Sequence, residues 1–118
     1  MRRDQYQAAA ALAGAALLRS RPRPELVDRV TGRERNAVYV ICDRTGTVRY
    51  VGSTAGRSAH ARIAEHLNDA EKTREWHEAW VIPLRASTPK PMVRAVEGNV
   101  GRFLRPRDSC YLPRSKTT

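Results

Sequence analysis

The sequence predicts an α+β fold: a three-stranded antiparallel sheet flanked by helices, with an added N-terminal helix. Three observations predict it. The run AVYVIC at 37–42 is rich in β-formers and returns as TVRYVG at 47–52 across the turn DRTG, which reads as a hairpin with a four-residue loop. A third apolar run, Trp80–Leu84, adds a strand. Two later stretches carry apolar residues at helical spacing. A sheet with helices packed on it buries all of these surfaces.

The elements follow in order. Residues 1–20 are alanine-rich and predict a helix from about Asp4 to Leu18, with Asp4 near its positive end. A secretory leader is the competing reading, since Arg2 and Arg3 precede an apolar stretch. Asp4 and Gln7 interrupt that pattern, and Arg19, Arg21 and Arg23 follow at once. The RPRP at 21–24 stops the helix, because proline lacks a donor and restricts its predecessor. A short helical stretch is expected from Pro24 to Val30, where Leu26, Val27 and Val30 share a face.

After the hairpin, STAGRSA is a loop. A helix is expected from about Ser58 to Ala70, with Ala59, Ile63, Leu67 and Ala70 as its stripe. Glu71–Glu78 is polar apart from Trp76 and reads as loop or helix end. Trp80–Leu84 is closed by Pro83. A second helix is expected from Pro91 to Leu104, with Met92, Val96, Val100 and Phe103 as its stripe and Val93 and Leu104 beside it. Gly98 and Gly101 weaken that helix, by up to about 1 kcal/mol each. Arg105–Pro106 ends it, and Tyr111 and Leu112 are expected to pack. Residues 1–35 thus read as an N-terminal helical extension, 36–112 as the domain and 113–118 as a C-terminal tail.

At 118 residues the chain fits one domain, and 41% apolar content excludes wholesale disorder. No apolar run reaches the length of a membrane span, so no membrane partner is expected. Cys42 and Cys110 are too few for a disulfide scaffold, and a reducing cytoplasm is the expected compartment. The formal net charge of +10 implies a polyanionic partner, most often nucleic acid. Residues 1–35 carry +4, residues 36–84 are neutral and residues 85–118 carry +6. The positive field therefore comes from the two ends of the chain.

Several residues can carry chemistry. Tyr39 and Tyr50 fall on the two hairpin strands, which pair side by side across the turn, and Gly52 closes the second strand where a backbone can approach a ligand. Arg62 and His66 are an i,i+4 pair beside the Ile63–Leu67 stripe. Arg supplies a fork for phosphate, and His titrates near neutrality. Glu97 is the only acid between Glu78 and Asp108. A lone carboxylate in a basic region suits an arginine, or a divalent ion shared with phosphate. Each of these also has a plain structural role: sheet tyrosines, an exposed polar flank and a solvated helix residue. His60, His66 and His77 with Cys42 and Cys110 match no zinc spacing. Trp76 and Trp80 suit core packing or base stacking.

In order, AVY at 37–39, YVG at 50–52, Arg62-x-x-x-His66, Trp76, and Glu97 with Leu104 and Pro106 resemble the GIY-YIG endonuclease superfamily, over about residues 36–112. The resemblance implies divalent-metal-dependent cleavage of DNA phosphodiesters on a small three-stranded sheet. It implies Tyr39 as general base or water positioner, Tyr50 as its partner and Arg62 steadying the phosphate. His66 would assist proton handling, and Glu97 would be the sole protein ligand of Mg²⁺ or Mn²⁺. Arg57, Arg94, Arg102, Arg105 and Arg107 would hold the nucleic acid, with DNA the expected partner and RNA a further one. Ala37 stands where the motif has its first glycine, the stretch from Gly52 to Arg62 is about two residues longer than usual, and Ser109 falls where many members have asparagine. Arg57 is a rival for the Arg62 role, though Arg62 keeps the spacing to His66. An inactive nucleic-acid-binding module of the same fold, or an exported nuclease toxin, are the alternative readings.

Overall fold

In a computed structural model, which describes residues 1–107, the sheet has four antiparallel strands rather than three. The elements are α1 (Arg3–Ala11), β1 (Glu25–Leu26), β2 (Asn36–Cys42), β3 (Val48–Ala55), α2 (Ala59–His66), the single turn α3 (Ala70–Thr73), β4 (Glu78–Pro83) and α4 (Lys90–Leu104). The strand order is β1-β4-β2-β3. Asp108, Ser109, Cys110, Tyr111, Leu112 and the 113–118 tail lie outside the described residues.

The expected hairpin forms, and it is longer than the motif suggests. Its turn is built by Asp43, whose carboxylate accepts from the backbone N–H groups of Thr45 at 2.9 Å and Thr47 at 3.1 Å. All seven residues of β2 are buried, because helices cover both faces of this central strand. Val38, Val40 and Cys42 face α1 and α4, packing with Tyr6, Trp80, Ile82, Val93 and Val96. Ala37, Tyr39 and Ile41 face α2, packing with Tyr50, Ile63, Trp76 and Val81. Trp76 and Trp80 therefore serve opposite cores and share no face.

Four expectations need correction, the last of them the end of α2. The N-terminal helix stops at Ala11, not Leu18. Gly14 turns the chain at φ +55, and the backbone of 16–18 then bonds to the end of β4: Leu18 N–H donates to Pro83 O at 2.9 Å, and Ala16 O accepts from Arg85 N–H at 2.9 Å. Second, residues 24–30 are not a helical stretch. Glu25 and Leu26 pair with Ala79 and Glu78 as the fourth strand, and a single 3₁₀ turn covers Val27–Arg29. The open edge of β4 supplies hydrogen bonds that a short isolated helix lacks. Third, the buried stripe of α4 is Val93, Val96, Val100 and Gly101, while Met92 and Phe103 are each 49% exposed. A helix on a sheet buries one narrow stripe, and here it centres on the valines.

α2 also ends early, at His66. Asn68 and Asp69 close its last turn with short-range bonds to Glu65 and His66, and α3 restarts at Ala70. The N-terminal segment contributes to the core: Tyr6 is fully buried and stacks on Trp80 at 5.5 Å. Its hydroxyl donates to Val81 O at 2.6 Å and accepts from Arg21 N–H at 2.9 Å. No helix among the described residues is long and apolar enough to cross a membrane.

Candidate nucleic-acid cleavage site

β3 is an edge strand, with α2 packed on one face of the sheet and α4 on the other. A cleft of about 450 Å³ wraps around this edge. Tyr39, Tyr50, Gly52, Arg57, Arg62, Arg94 and Glu97 are among the residues that line it. Four of the five expected catalytic side chains thus arrive from four different elements at one place.

The register explains how. Gly52 lies opposite Tyr39, and Tyr50 lies opposite Ile41, so the two tyrosines are diagonal neighbours with ring centroids 6.2 Å apart. Gly52 sits inside β3, not at its end, and the Tyr39 ring lies directly over it. A Cβ on Gly52 would meet the Tyr39 hydroxyl at 2.5 Å. Only glycine leaves room for the phenol to cross the sheet toward the edge.

Tyr39 is 1% exposed. Burial, reinforced by neighbouring Tyr50, pushes its phenol well above the ordinary value, and hydrogen bonding and charge from Arg62 offset only part of this. The hydroxyl therefore keeps its proton at neutral pH, with the Arg62 guanidinium beside it.

His66 does not line the cleft. It stands behind the tyrosines, with ring centroids 5.3 Å from Tyr50, 6.4 Å from Tyr39 and 5.5 Å from Trp76. Trp76 in turn lies 5.0 Å from Tyr50. These rings back the two phenols and fix where they point.

Glu97 reaches the cleft from α4, where the Ser53 hydroxyl donates a hydrogen bond to it. Lys90 and Arg94 precede it at i−7 and i−3 and share its helix face. Among the described lining residues the cations Arg57, Arg62, Lys90 and Arg94 outnumber the single carboxylate Glu97. The field in the cleft is positive and suits a phosphate chain. Arg102, Arg105 and Arg107 are exposed near the far end of α4 and do not line the cleft.

Three participants were not foreseen in the sequence: Ser53, Lys90 and Glu65. Glu65 accepts from Arg62 and from Arg57, the latter at 2.9 Å. The two guanidinium groups hold its carboxyl below the usual carboxylate range. Its i,i+3 spacing to Arg62 is the signal that could have found it, and Lys90 and Arg94 at i,i+4 mark the cleft-facing side of α4.

A divalent ion here would have Glu97 as its one protein carboxylate. Among the described residues, no three His, Cys, Asp or Glu side chains gather to hold a metal. That donor set fits Mg²⁺, which commonly takes one or two carboxylates and completes its shell with water and phosphate oxygens. Glu97 is half-buried at an open cleft wall, which leaves space for both. The chain matches no known protein-family model, no curated protein and no solved structure, so the chemistry of this cleft is what speaks for its role.

Proposed function

We propose that the protein is a divalent-metal-dependent endonuclease of GIY-YIG type that hydrolyses phosphodiester bonds in DNA. The observation that carries this reading is the convergence of Tyr39, Tyr50, Arg62 and Glu97 on one cation-rich cleft.

Each residue has a role that its surroundings support. Tyr39, its hydroxyl protonated at rest beside Arg62, serves as general base or positioner of the attacking water. Tyr50, backed by His66 and Trp76, holds the second side of that water's position. Arg62 neutralises the charge that develops on the phosphoryl oxygens, where a fixed guanidinium is worth more than mobile solvent. Glu97, oriented by Ser53, is the residue that would hold Mg²⁺ or Mn²⁺. A bound ion would supply Lewis-acid stabilisation and a more acidic water. Arg57, Lys90 and Arg94 draw the backbone into the cleft without reading its sequence.

The test is plasmid nicking with Mg²⁺ or Mn²⁺, run beside Glu97→Ala. The wild-type protein is expected to nick supercoiled DNA only with the ion present, and the variant to bind DNA but not cut it. Equal cleavage by both proteins would assign the activity to a contaminant. Salt-sensitive binding with no cleavage by either would leave an inactive binding module. Cleavage of RNA alone would move the substrate from DNA to RNA.

A further inference from the structure

Arg57 and Arg62 both line the cleft, and both are engaged by one exposed carboxylate, Glu65, which is not itself among the lining residues. Glu65 receives Arg57 on both oxygens, at 3.4 Å and 2.9 Å, and Arg62 on Oε1. Arg57 sits in the loop after β3 and Arg62 one turn into α2, so two separate segments aim their forks at one small anion. A carboxylate presents two oxygens on one carbon much as a phosphodiester presents two on phosphorus. The pair is solvent-exposed on all three side chains, so it adds little to folding. The position of its two arginines at the cleft is better explained by binding.

We propose that Arg57 and Arg62 together grip a single backbone phosphate of the nucleic acid, and that Glu65 is a built-in competitor that holds the two guanidinium groups in register until the phosphate displaces it. This rests on the nuclease reading for the identity of the ligand. Arg57 then ceases to be a rival of Arg62 and becomes its partner on the same group. Glu65 is a positioning residue, since it touches the arginines and not the reacting atoms. It weakens binding of every sequence alike and sharpens the geometry of those that do bind.

The test uses a short fluorescently labelled DNA duplex and the full chain, in EDTA, with anisotropy as the readout. Three proteins are compared: wild type, Glu65→Gln and Glu75→Gln. Glu75 is an exposed partner of Arg74 and does not line the cleft, so its variant controls for the loss of one negative charge. Glu65→Gln is expected to bind about fivefold tighter than Glu75→Gln, with a steeper fall of affinity with salt as two guanidinium groups become free for phosphate. In a cycle with Arg57→Ala, the arginine substitution should cost more affinity in the Glu65→Gln background than in wild type. A Glu65→Gln protein that binds no tighter than Glu75→Gln overturns the proposal, as does the absence of duplex binding by all three.

The nuclease reading fails separately. Tighter binding by Glu65→Gln, with no metal-dependent nicking by any variant, keeps the phosphate grip and discards the cleavage. Nicking by the wild type, with no gain in binding for Glu65→Gln, does the reverse.

Discussion

Replacing Gly52 by alanine puts one methyl group where the structure has the Tyr39 phenol. The new Cβ would lie 2.5 Å from the hydroxyl, 2.6 Å from Cζ and 2.9 Å from Cε1. The ring cannot simply tilt away, since it is 1% exposed and shares a cluster with Ile41, Tyr50, Ile63 and Trp76. Overpacking of this kind costs about 1–3 kcal/mol, and the closeness of three ring atoms puts it near the top of that range. Alanine regains about 0.5–1 kcal/mol of backbone entropy. The net loss is therefore about 2 kcal/mol. At about 4 °C per kcal/mol for a chain of this size, Tm falls by about 8 °C. Nicking should suffer more than stability, because displacing a positioning group by about 1 Å can cost about a hundredfold in rate. Thermal denaturation followed by circular dichroism, and nicking at a temperature where both proteins are folded, read the two effects. A Gly52→Ala protein within 2 °C of wild type by that same scale, cutting within a factor of two, would refute the claim that Tyr39 needs this glycine.

Two further outcomes follow from groups outside the cleft and from the phenol itself. Asn36 donates from Nδ2 to the carbonyls of Arg85, Ala86 and Thr88 at 3.1–3.3 Å and accepts from Gly56 N–H at 3.2 Å. Asn36→Ala should cost about 1–2 kcal/mol, seen as a lower urea midpoint, because it removes the bonds that tie buried Asn36 to the loop that launches α4. Tyr39 and Tyr6 both have phenol pKa values raised by burial. Their protonated forms favour the native state, so this stability is intact below about pH 10, the unfolded value, and is lost as pH climbs toward the folded values. The urea midpoint should therefore hold up to about pH 10 and fall above it, and Tyr39→Phe should make that fall shallower. An unchanged alkaline slope in the variant would mean that the phenol is not buried as described.

The legible parts of the fold were those governed by local chemistry. DRTG announced a turn and the β-rich run AVYVIC announced a strand, whereas the covering of both its faces by helices came only with the structure. β1 was not legible, since two residues have no periodicity and their pairing is set by β4, some fifty positions away. The early end of α1 was equally hidden, because an alanine run reads as helix whether or not a strand end competes for its backbone. Met92 and Phe103 looked like stripe residues at helical spacing, but the sheet selected Val93, Val96 and Val100. In the site, Tyr39, Tyr50, Arg62 and Glu97 could be picked out by residue type and order. Ser53 could not, because a serine beside a carboxylate acquires meaning only when β3 and α4 are placed around one edge, and Glu65 was signalled by no more than its i,i+3 spacing to Arg62.

That edge has a consequence for how copies of the protein meet. The outer side of β3 has no neighbouring strand among the described residues, and the carbonyl of Val48, its first residue, accepts from Arg107 N–H at 3.1 Å. An open strand edge ordinarily templates clumping. Here it opens onto a ring of cations, so two molecules approaching edge to edge repel one another. The cations that give the groove its positive field thus also disfavour self-pairing at this edge.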